Sequence, residues 1–114
     1  MYSGIIYKYT SPSGKVYIGQ TTNETRRKRE FLDIETSYAG DKINKAREKY
    51  GPENFTYEII STISADTIED LCNLLDFSEQ YYIEKYDSCN TGYNLLEGGS
   101  SFRNWKKTQE QVKK

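Results

Sequence analysis

The chain has 114 residues, of which 35% are hydrophobic, and its formal net charge is -1. This length supports one domain with a modest core, and no apolar run is long enough to span a bilayer. The sequence contains no histidine. Ser-His-Asp and Cys-His mechanisms in their usual forms are therefore excluded, and so are histidine-based metal nucleases. Cys72 and Cys89 have no metal-binding spacing and indicate a reduced, intracellular protein.

The charges are distributed unevenly along the chain. Residues 1–52 hold 10 Lys/Arg against 6 Asp/Glu, residues 53–100 hold 1 against 10, and residues 101–114 hold 5 against 1. A basic half beside an acidic half suits a polyanionic partner that approaches from one side. Solubility alone explains the same distribution, so the charges by themselves do not decide between the two interpretations.

A β-hairpin is predicted at the start of the chain. The runs from Ile5 to Thr10 and from Lys15 to Thr21 are rich in residues that favour strands. The residues between them contain Pro12 and Gly14, which are typical of a turn.

Two helices are predicted after the hairpin. Asn23 is a suitable N-cap for a helix that ends near Ile34. A second helix begins at Gly40-Asp41 and ends at Tyr50, where Gly51 suits the left-handed position that follows many helices.

A third strand and a long helix complete the prediction. The strand runs from Phe55 to Ile63, and the helix spans roughly 66–87 with Ser64 or Asp66 as its cap. We expect one face of the strand to carry Phe55, Tyr57 and Ile59. The apolar positions of the helix follow helical spacing: Ile68, Leu71, Leu74, Leu75, Tyr82, Ile83 and Tyr86. The element order predicts a small α+β domain in which helices pack on a three-stranded antiparallel sheet.

A glutamate in the long helix and a basic run in the first helix are candidates for a functional site. Glu79 shares the face of the long helix that packs on the sheet, where an ionised carboxylate needs a partner or a metal. A position at the rim of that face, in contact with solvent, is the alternative. The first helix opens with the basic run Arg26, Arg27, Lys28 and Arg29, whose members point in different directions at steps of about 100°. A solvated helix face explains such a run equally well.

Four stretches of the chain, taken together, resemble motifs of the GIY-YIG nuclease superfamily. The resemblance covers residues 3–99, and the last two of the four stretches look like those of phage and intron homing members. In chain order the stretches are Gly4-Ile5-Ile6-Tyr7, Gly14-Lys15-Val16-Tyr17-Ile18-Gly19, Lys49-Tyr50-Gly51-Pro52-Glu53-Asn54-Phe55 and Gly92-Tyr93-Asn94-Leu95-Leu96-Glu97-Gly98-Gly99.

The resemblance implies roles for particular residues. Tyr7 and Tyr17 match the two motif tyrosines, and Arg26 matches the arginine of the first helix, with Arg27 as the alternative. Glu79 matches the metal-binding glutamate, and Asn94 matches the asparagine that closes the site. Gly19 matches the motif glycine, which allows close approach of backbone or DNA.

One position departs from the family pattern. Many members carry a histidine about one turn after the arginine, and Glu30 stands there in this chain. Tyr38 or Lys15 would then handle or position the proton. We expect Arg27, Arg29, Gly19 and Tyr38 to contact nucleic acid.

The implied activity is hydrolysis of a DNA phosphodiester with one divalent metal, Mg²⁺ or Mn²⁺, at Glu79. Arg26 would stabilise the scissile phosphate, Tyr7 would take the proton of the attacking water and Tyr17 would align it, although the two tyrosines are interchangeable in this scheme. A non-catalytic nucleic-acid-binding module and a structure-specific repair nuclease are the alternatives.

The resemblance also sets expectations for the organisation of the chain. Residues 1–99 form the nuclease domain, and residues 100–114 form a basic tail or the start of a linker. Homing members usually continue into a linker and a separate C-terminal DNA-binding region, so the resemblance implies either a catalytic fragment or a stand-alone domain with weak specificity. An intracellular, phage- or virus-encoded protein is expected.

Overall fold

A computed structural model describes residues 1–35, 38 and 40–94 of the chain. The predicted tail and the predicted domain boundary at residue 99 lie outside these residues. The elements, in chain order, are β1 (Tyr2–Thr10), β2 (Val16–Thr21), α1 (Glu24–Leu32), α2 (Asp41–Tyr50), a 3₁₀ turn (Pro52–Asn54), β3 (Thr56–Ala65), α3 (Ile68–Tyr86) and the short α4 (Ser88–Thr91). This order confirms the predicted α+β class.

The three strands form one antiparallel sheet in the order β2-β1-β3, so that β2 lies at an edge. Tyr7 of β1 pairs with Ile59 of β3, but the preceding Ile6 pairs with Ser61, which leaves Ile60 as an extra residue. This bulge reverses the alternation along β3. Tyr57 and Ile59 therefore share one face, as predicted. Beyond the bulge the odd-numbered residues Ile63 and Ala65 lie on the opposite face of the sheet. Ile59 nevertheless remains 43% exposed.

Each face of the sheet carries its own hydrophobic cluster. The face under α1 and α2 is aromatic, with Tyr9 stacked on Phe31 at 3.6 Å between ring centroids. The face under α3 is aliphatic, and its Ile6 and Ile18 share a cluster with Leu71 of the helix. The sheet is thus covered on both faces, and the aromatic cluster is the one that contains the motif tyrosines.

The helix ends follow simple capping rules. The Asn23 side chain accepts a hydrogen bond from the Arg26 backbone N–H, as an N-cap should. Gly51 follows α2 with φ of 85°, a conformation that glycine adopts without strain. The predicted cap of α3 was wrong, because Thr67, rather than Ser64 or Asp66, accepts from a first-turn N–H.

The long helix α3 lies on the aliphatic face through only part of its apolar pattern. Leu71, Leu75 and Ile83 are buried, but Ile68 and Leu74 are 51% and 44% exposed. The apolar repeat of the sequence therefore includes positions that are not buried against the sheet. No helix within the described residues has the length and hydrophobicity needed to cross a membrane.

Candidate active site

A cavity of about 580 Å³ opens at the β2 edge of the sheet. Residues from both faces line it, because the edge strand leaves the two faces continuous with each other. Its polar lining comes from three elements: Tyr7, Tyr17 and Gln20 of the sheet, Arg26 and Arg27 of α1, and Glu79 of α3. The fold thus brings together the two motif tyrosines, the arginines and the glutamate that the sequence singles out.

Tyr7 lies at the centre of the polar side of the cavity. Only 1% of its surface is exposed, and its hydroxyl lies 2.5 Å from the Tyr38 hydroxyl. The Arg27 Nε–H donates a hydrogen bond to the same oxygen at 3.3 Å. The Tyr17 ring is also close, at 6.5 Å between centroids. The Tyr7 hydroxyl is therefore held in place by partners from two other segments of the chain.

Gly19 makes this position of Tyr7 possible. A Cβ atom on Gly19 would lie 2.5 Å from both Cζ and Oη of Tyr7, far inside van der Waals contact. The two residues are direct partners across the hairpin. Gly19 is buried beneath the tyrosine, so the structure does not support the predicted contact with nucleic acid. Its role is to make room for the Tyr7 ring.

Five tyrosines in and beside the cavity have raised pKa values. We call Tyr7, Tyr9, Tyr17, Tyr38 and Tyr57 the phenol cluster. Burial raises the pKa of each above the ordinary value of 10.0. For Tyr7, burial outweighs the Tyr38 hydrogen bond and the Arg27 charge, both of which lower the pKa. Tyr7 therefore keeps its proton at neutral pH despite the neighbouring arginine, and its predicted role in taking the proton of the attacking water stays a prediction.

The contacts favour Arg27 over Arg26 as the arginine of the site. Arg27 donates to the Tyr7 hydroxyl and to the Tyr38 carbonyl, and its guanidinium lies 3.9 Å from the centroid of the Tyr38 ring. Arg26 lines the cavity, but its side chain is 60% exposed. Successive helix positions differ by about 100°, so only one of the two can point at the tyrosines. The contacts therefore favour Arg27, the alternative match, over Arg26.

Glu30 occupies the outer side of Arg27. Its carboxylate lies 2.8 Å from Nη1 of Arg27 and 3.7 Å from Nε of Arg26. The hydrogen bond from Arg27 lowers the pKa of Glu30, which keeps this carboxylate charged. Glu30 is not among the residues that line the cavity. It therefore fixes the arginine, whereas Tyr38 contacts the Tyr7 hydroxyl directly.

Glu79 is buried, with 8% of its surface exposed, although it lines the cavity. The rim alternative from the sequence is therefore not observed. The Gln20 side chain donates to Glu79 at 2.7 Å and to Asp76 at 2.9 Å, which brings two carboxylates to one amide. Asp76 is fully buried, and sequence reasoning missed it. Its position three residues before Glu79, on the same helix face, was the available signal.

This donor set fits a hard divalent cation. Magnesium is typically held by one or two carboxylates, with waters and substrate phosphate as its other ligands. Glu79 offers a carboxylate at the cavity wall, and Asp76 lies behind it. Within residues 1–35, 38 and 40–94 there is no group of three or more His, Cys, Asp or Glu side chains arranged as a closed metal cage.

Asn94 holds the second strand rather than lining the cavity. Its Oδ1 accepts hydrogen bonds from the Ile18 N–H at 2.8 Å and from the Ser88 hydroxyl at 2.6 Å. Its Nδ2 donates back to the Ile18 carbonyl at 2.9 Å. Ile18 lies between Tyr17 and Gly19, so Asn94 fixes the backbone of the motif from outside. We therefore assign it a positioning role.

Two other predicted site residues lie away from the cavity lining. Lys15 is exposed in the turn before β2, so the structure does not bring it to Tyr7. Arg29 is exposed on α1 and does not line the cavity either. Its predicted contact with nucleic acid remains an expectation.

Sequence reasoning also missed the role of Arg47, which is 1% exposed. Its guanidinium donates to the backbone carbonyls of Phe31, Glu30 and Asp33 at the end of α1. The N–H groups of Arg47 satisfy carbonyls that have no partner within the helix, and the positive charge is favourable at a helix C-terminus. Its place in the apolar repeat of α2 was the signal that it faces inward.

The described fold is that of the catalytic domains of GIY-YIG nucleases. Two solved structures carry this comparison, and both are similar to the chain at 26% sequence identity. One is the catalytic domain of the homing endonuclease I-TevI, with a TM-score of 0.67 over 82% of this chain and 99% of that domain. The other is the catalytic domain of the intron endonuclease I-TevI in a variant with one glutamate replaced by alanine. Its TM-score is 0.65 over 83% of this chain and 95% of that one.

Comparison with protein-family models and with curated protein sequences gave no match. The structural neighbours nevertheless confirm the resemblance to the GIY-YIG superfamily over most of the chain. They support a homing-endonuclease-like nuclease as the coarse functional class.

Proposed function

We propose that the chain is a metal-dependent endonuclease that hydrolyses DNA phosphodiester bonds. The observation that carries the proposal is the convergence of Tyr7, Tyr17, Arg27 and Glu79 on one cavity at the edge of the sheet. The arginine supplies positive charge for a phosphate, the tyrosines supply hydroxyl groups and the glutamate supplies a carboxylate for a metal. Hydrolysis of a phosphodiester uses groups of these three kinds. DNA as the substrate rests on the likeness to a homing endonuclease domain and on the basic residues of α1.

Arg27 is the residue we assign to the scissile phosphate. Its planar guanidinium is already oriented by Tyr7, Tyr38 and Glu30. A preorganised donor stabilises developing negative charge without reorganising during the reaction. Displacement of Glu30 by a phosphate oxygen would preserve the number of charge-assisted hydrogen bonds on the guanidinium. Arg26, which is exposed at the cavity mouth, is then available to a neighbouring phosphate.

Tyr7 and Tyr17 are the residues we assign to orienting the phosphate and the attacking water. Because burial raises their pKa values, both phenols are protonated at neutral pH. A protonated phenol donates one hydrogen bond and accepts others. The Tyr7 hydroxyl accepts a hydrogen bond from Arg27 and shares a second one with the Tyr38 hydroxyl. These two partners fix the position of the oxygen that would contact the phosphate or the water.

Glu79 is the residue we assign to the metal, with Asp76 and Gln20 orienting its carboxylate. A bound Mg²⁺ or Mn²⁺ would stabilise negative charge on the 3′-oxygen leaving group as a Lewis acid. Gln20 binds both carboxylates, so it would keep Asp76 as an acceptor if Glu79 were removed. The fold should therefore tolerate that substitution.

The test is cleavage of a supercoiled plasmid with Mg²⁺, with Mn²⁺ or with EDTA. We expect the wild type to nick DNA only with metal, and Glu79→Ala to lose nicking by at least about 100-fold while its melting temperature changes little. Glu84→Ala, which removes an exposed carboxylate from the same helix, is the matched control and should cleave normally. Binding of Mn²⁺, followed by its paramagnetic resonance signal, should also be lost in Glu79→Ala alone. Full cleavage by Glu79→Ala would refute the metal assignment.

One observation favours the non-catalytic alternative, namely that Glu30 engages the arginine of the site in the protein without substrate. DNA binding in EDTA, measured by fluorescence anisotropy, separates the two functions. A binding module would bind DNA and show no metal-dependent nicking at any protein concentration. A nuclease would show both activities.

A further inference from the structure

The outer face of α3 carries an apolar stripe. Leu74, Phe77 and Tyr81 are 44%, 59% and 54% exposed. They stand at i, i+3 and i+7, which places them on one side of the helix. Glu79 lies on the opposite side of the same helix and faces the cavity. The stripe is therefore remote from the candidate active site, and that site does not account for it.

Acidic residues flank this apolar stripe. Asp70 precedes Leu74 by four positions and Glu84 follows Tyr81 by three, so both share the face of the stripe, and both are exposed. Asp76 and Glu79 are buried on the other side of the helix, so Asp70 and Glu84, against the exposed Lys85, set the charge of this face. A partner for this face should therefore combine large apolar side chains with positive charge.

The segment 100–114 of the same chain has this composition. It holds five Lys/Arg against one Asp/Glu, with Phe102 and the only tryptophan, Trp105, three positions apart. Its point of departure is also suitable. The Asn94 N–H donates to the carbonyl of Ser88, which begins α4 just beyond the end of α3. Asn94, the last described residue, therefore lies near the C-terminal end of α3.

The intervening residues are numerous enough to reach the stripe. Eight residues from 95 to 102 can span up to about 26 Å when extended. Tyr81 and Leu74 lie seven residues apart on the helix, or about 10 Å along its axis. The end of α3 lies about one and a half turns beyond Tyr81. The number of residues between Asn94 and Phe102 is therefore sufficient to reach the stripe.

We propose that residues 100–114 dock on the α3 stripe, with Phe102 and Trp105 against Leu74, Phe77 and Tyr81. The basic residues of the segment would lie beside Asp70 and Glu84. Docking there would direct the following chain along the face of the domain that lies opposite Glu79. The cavity would stay open to substrate. This inference does not depend on nuclease activity.

The test uses the full 114-residue chain, because Trp105 is its only tryptophan and reports directly on the tail. We expect a blue-shifted tryptophan emission and weak quenching by acrylamide relative to the chain unfolded in guanidinium. Phe77→Ser should move both properties to those of the unfolded chain, while circular dichroism shows the domain still folded. Leu32→Ser, at an exposed leucine of α1, is the matched control and should leave Trp105 protected.

The charge contribution is tested with Asp70→Asn and Glu84→Gln together, which should raise acrylamide quenching at low salt and have less effect at high salt. The proposal would be overturned if acrylamide quenched Trp105 in the folded wild type as strongly as in the unfolded chain. It would also be overturned if Trp105 stayed protected from acrylamide in Phe77→Ser. Protection that disappears on dilution would assign the stripe to a second copy of the chain instead. The proposed nuclease function stands or falls separately, because the Phe77→Ser chain should still nick DNA if that function is correct.

Discussion

Replacement of Gly19 by alanine tests the packing on which the candidate site depends. The new Cβ would lie 2.5 Å from Cζ and Oη of Tyr7, whereas ordinary contacts begin near 3.4 Å. The tyrosine ring must therefore move by roughly 1 Å, because the backbone of Gly19 is held in the sheet opposite it. That shift would lengthen the 2.5 Å hydrogen bond to Tyr38 and the contact with Arg27.

Two magnitudes follow from this displacement. Overpacking a tight core costs about 1–3 kcal/mol of the free energy of unfolding. A misplacement of about 1 Å at a catalytic group costs on the order of 100-fold in rate. We therefore expect Gly19→Ala to remain folded, with a lower melting temperature and plasmid nicking reduced by about 100-fold.

The assay is metal-dependent nicking at a temperature at which every variant is folded by circular dichroism. Gly14→Ala is the control for lost stability. Gly14 has φ of +90° in the exposed turn, so alanine is strained there, yet nothing lies within 4 Å of its Cβ position. It should lose stability and keep its activity. Nicking by Gly19→Ala at the wild-type rate would refute the argument that the glycine positions Tyr7.

Three further predictions concern the charges of the site. Arg27→Lys should lower nicking by about 100-fold or more, because lysine lacks the planar fork, while Arg26→Lys should change it only a few-fold; equal losses would restore Arg26 as a candidate. Glu30→Gln should strengthen DNA binding by about 1 kcal/mol or less, a factor of up to about five, in anisotropy at low salt. Unchanged or weaker binding would show that Glu30 does not compete with phosphate for Arg27. The third prediction is that stability should be constant at neutral pH and fall above about pH 10, since the phenol cluster has folded pKa values above the unfolded value of about 10. Ultraviolet absorbance should show these five tyrosines ionising only as the chain unfolds, and their ionisation in the folded chain would contradict the burial argument.

Capping and periodicity, which are local properties, predicted much of the fold. The N-cap at Asn23 and the end of α2 at Gly51 depend on residues a few positions apart. The repeat of α3 puts Glu79 on the face that packs on the sheet but leaves a position at its rim open, and the structure shows that the residue is buried. The bulge at Ile60 and the cap at Thr67 were not predicted, because bulge position and cap choice depend on how β3 pairs with β1 and where the chain then leaves the sheet.

The candidate site also has a part that the sequence predicts and a part that depends on the tertiary structure. The sequence by itself determined which residue types are present, namely two motif tyrosines, a basic helix start and a glutamate on an inward helix face. Only the tertiary structure decided that Arg27 reaches Tyr7, that Gly19 makes room for its ring and that Gln20 binds both Asp76 and Glu79. The physical reason is that each of these contacts joins side chains distant in the chain or on opposite strands. Their rotation and spacing are set by packing, which a pattern of neighbouring residues does not encode.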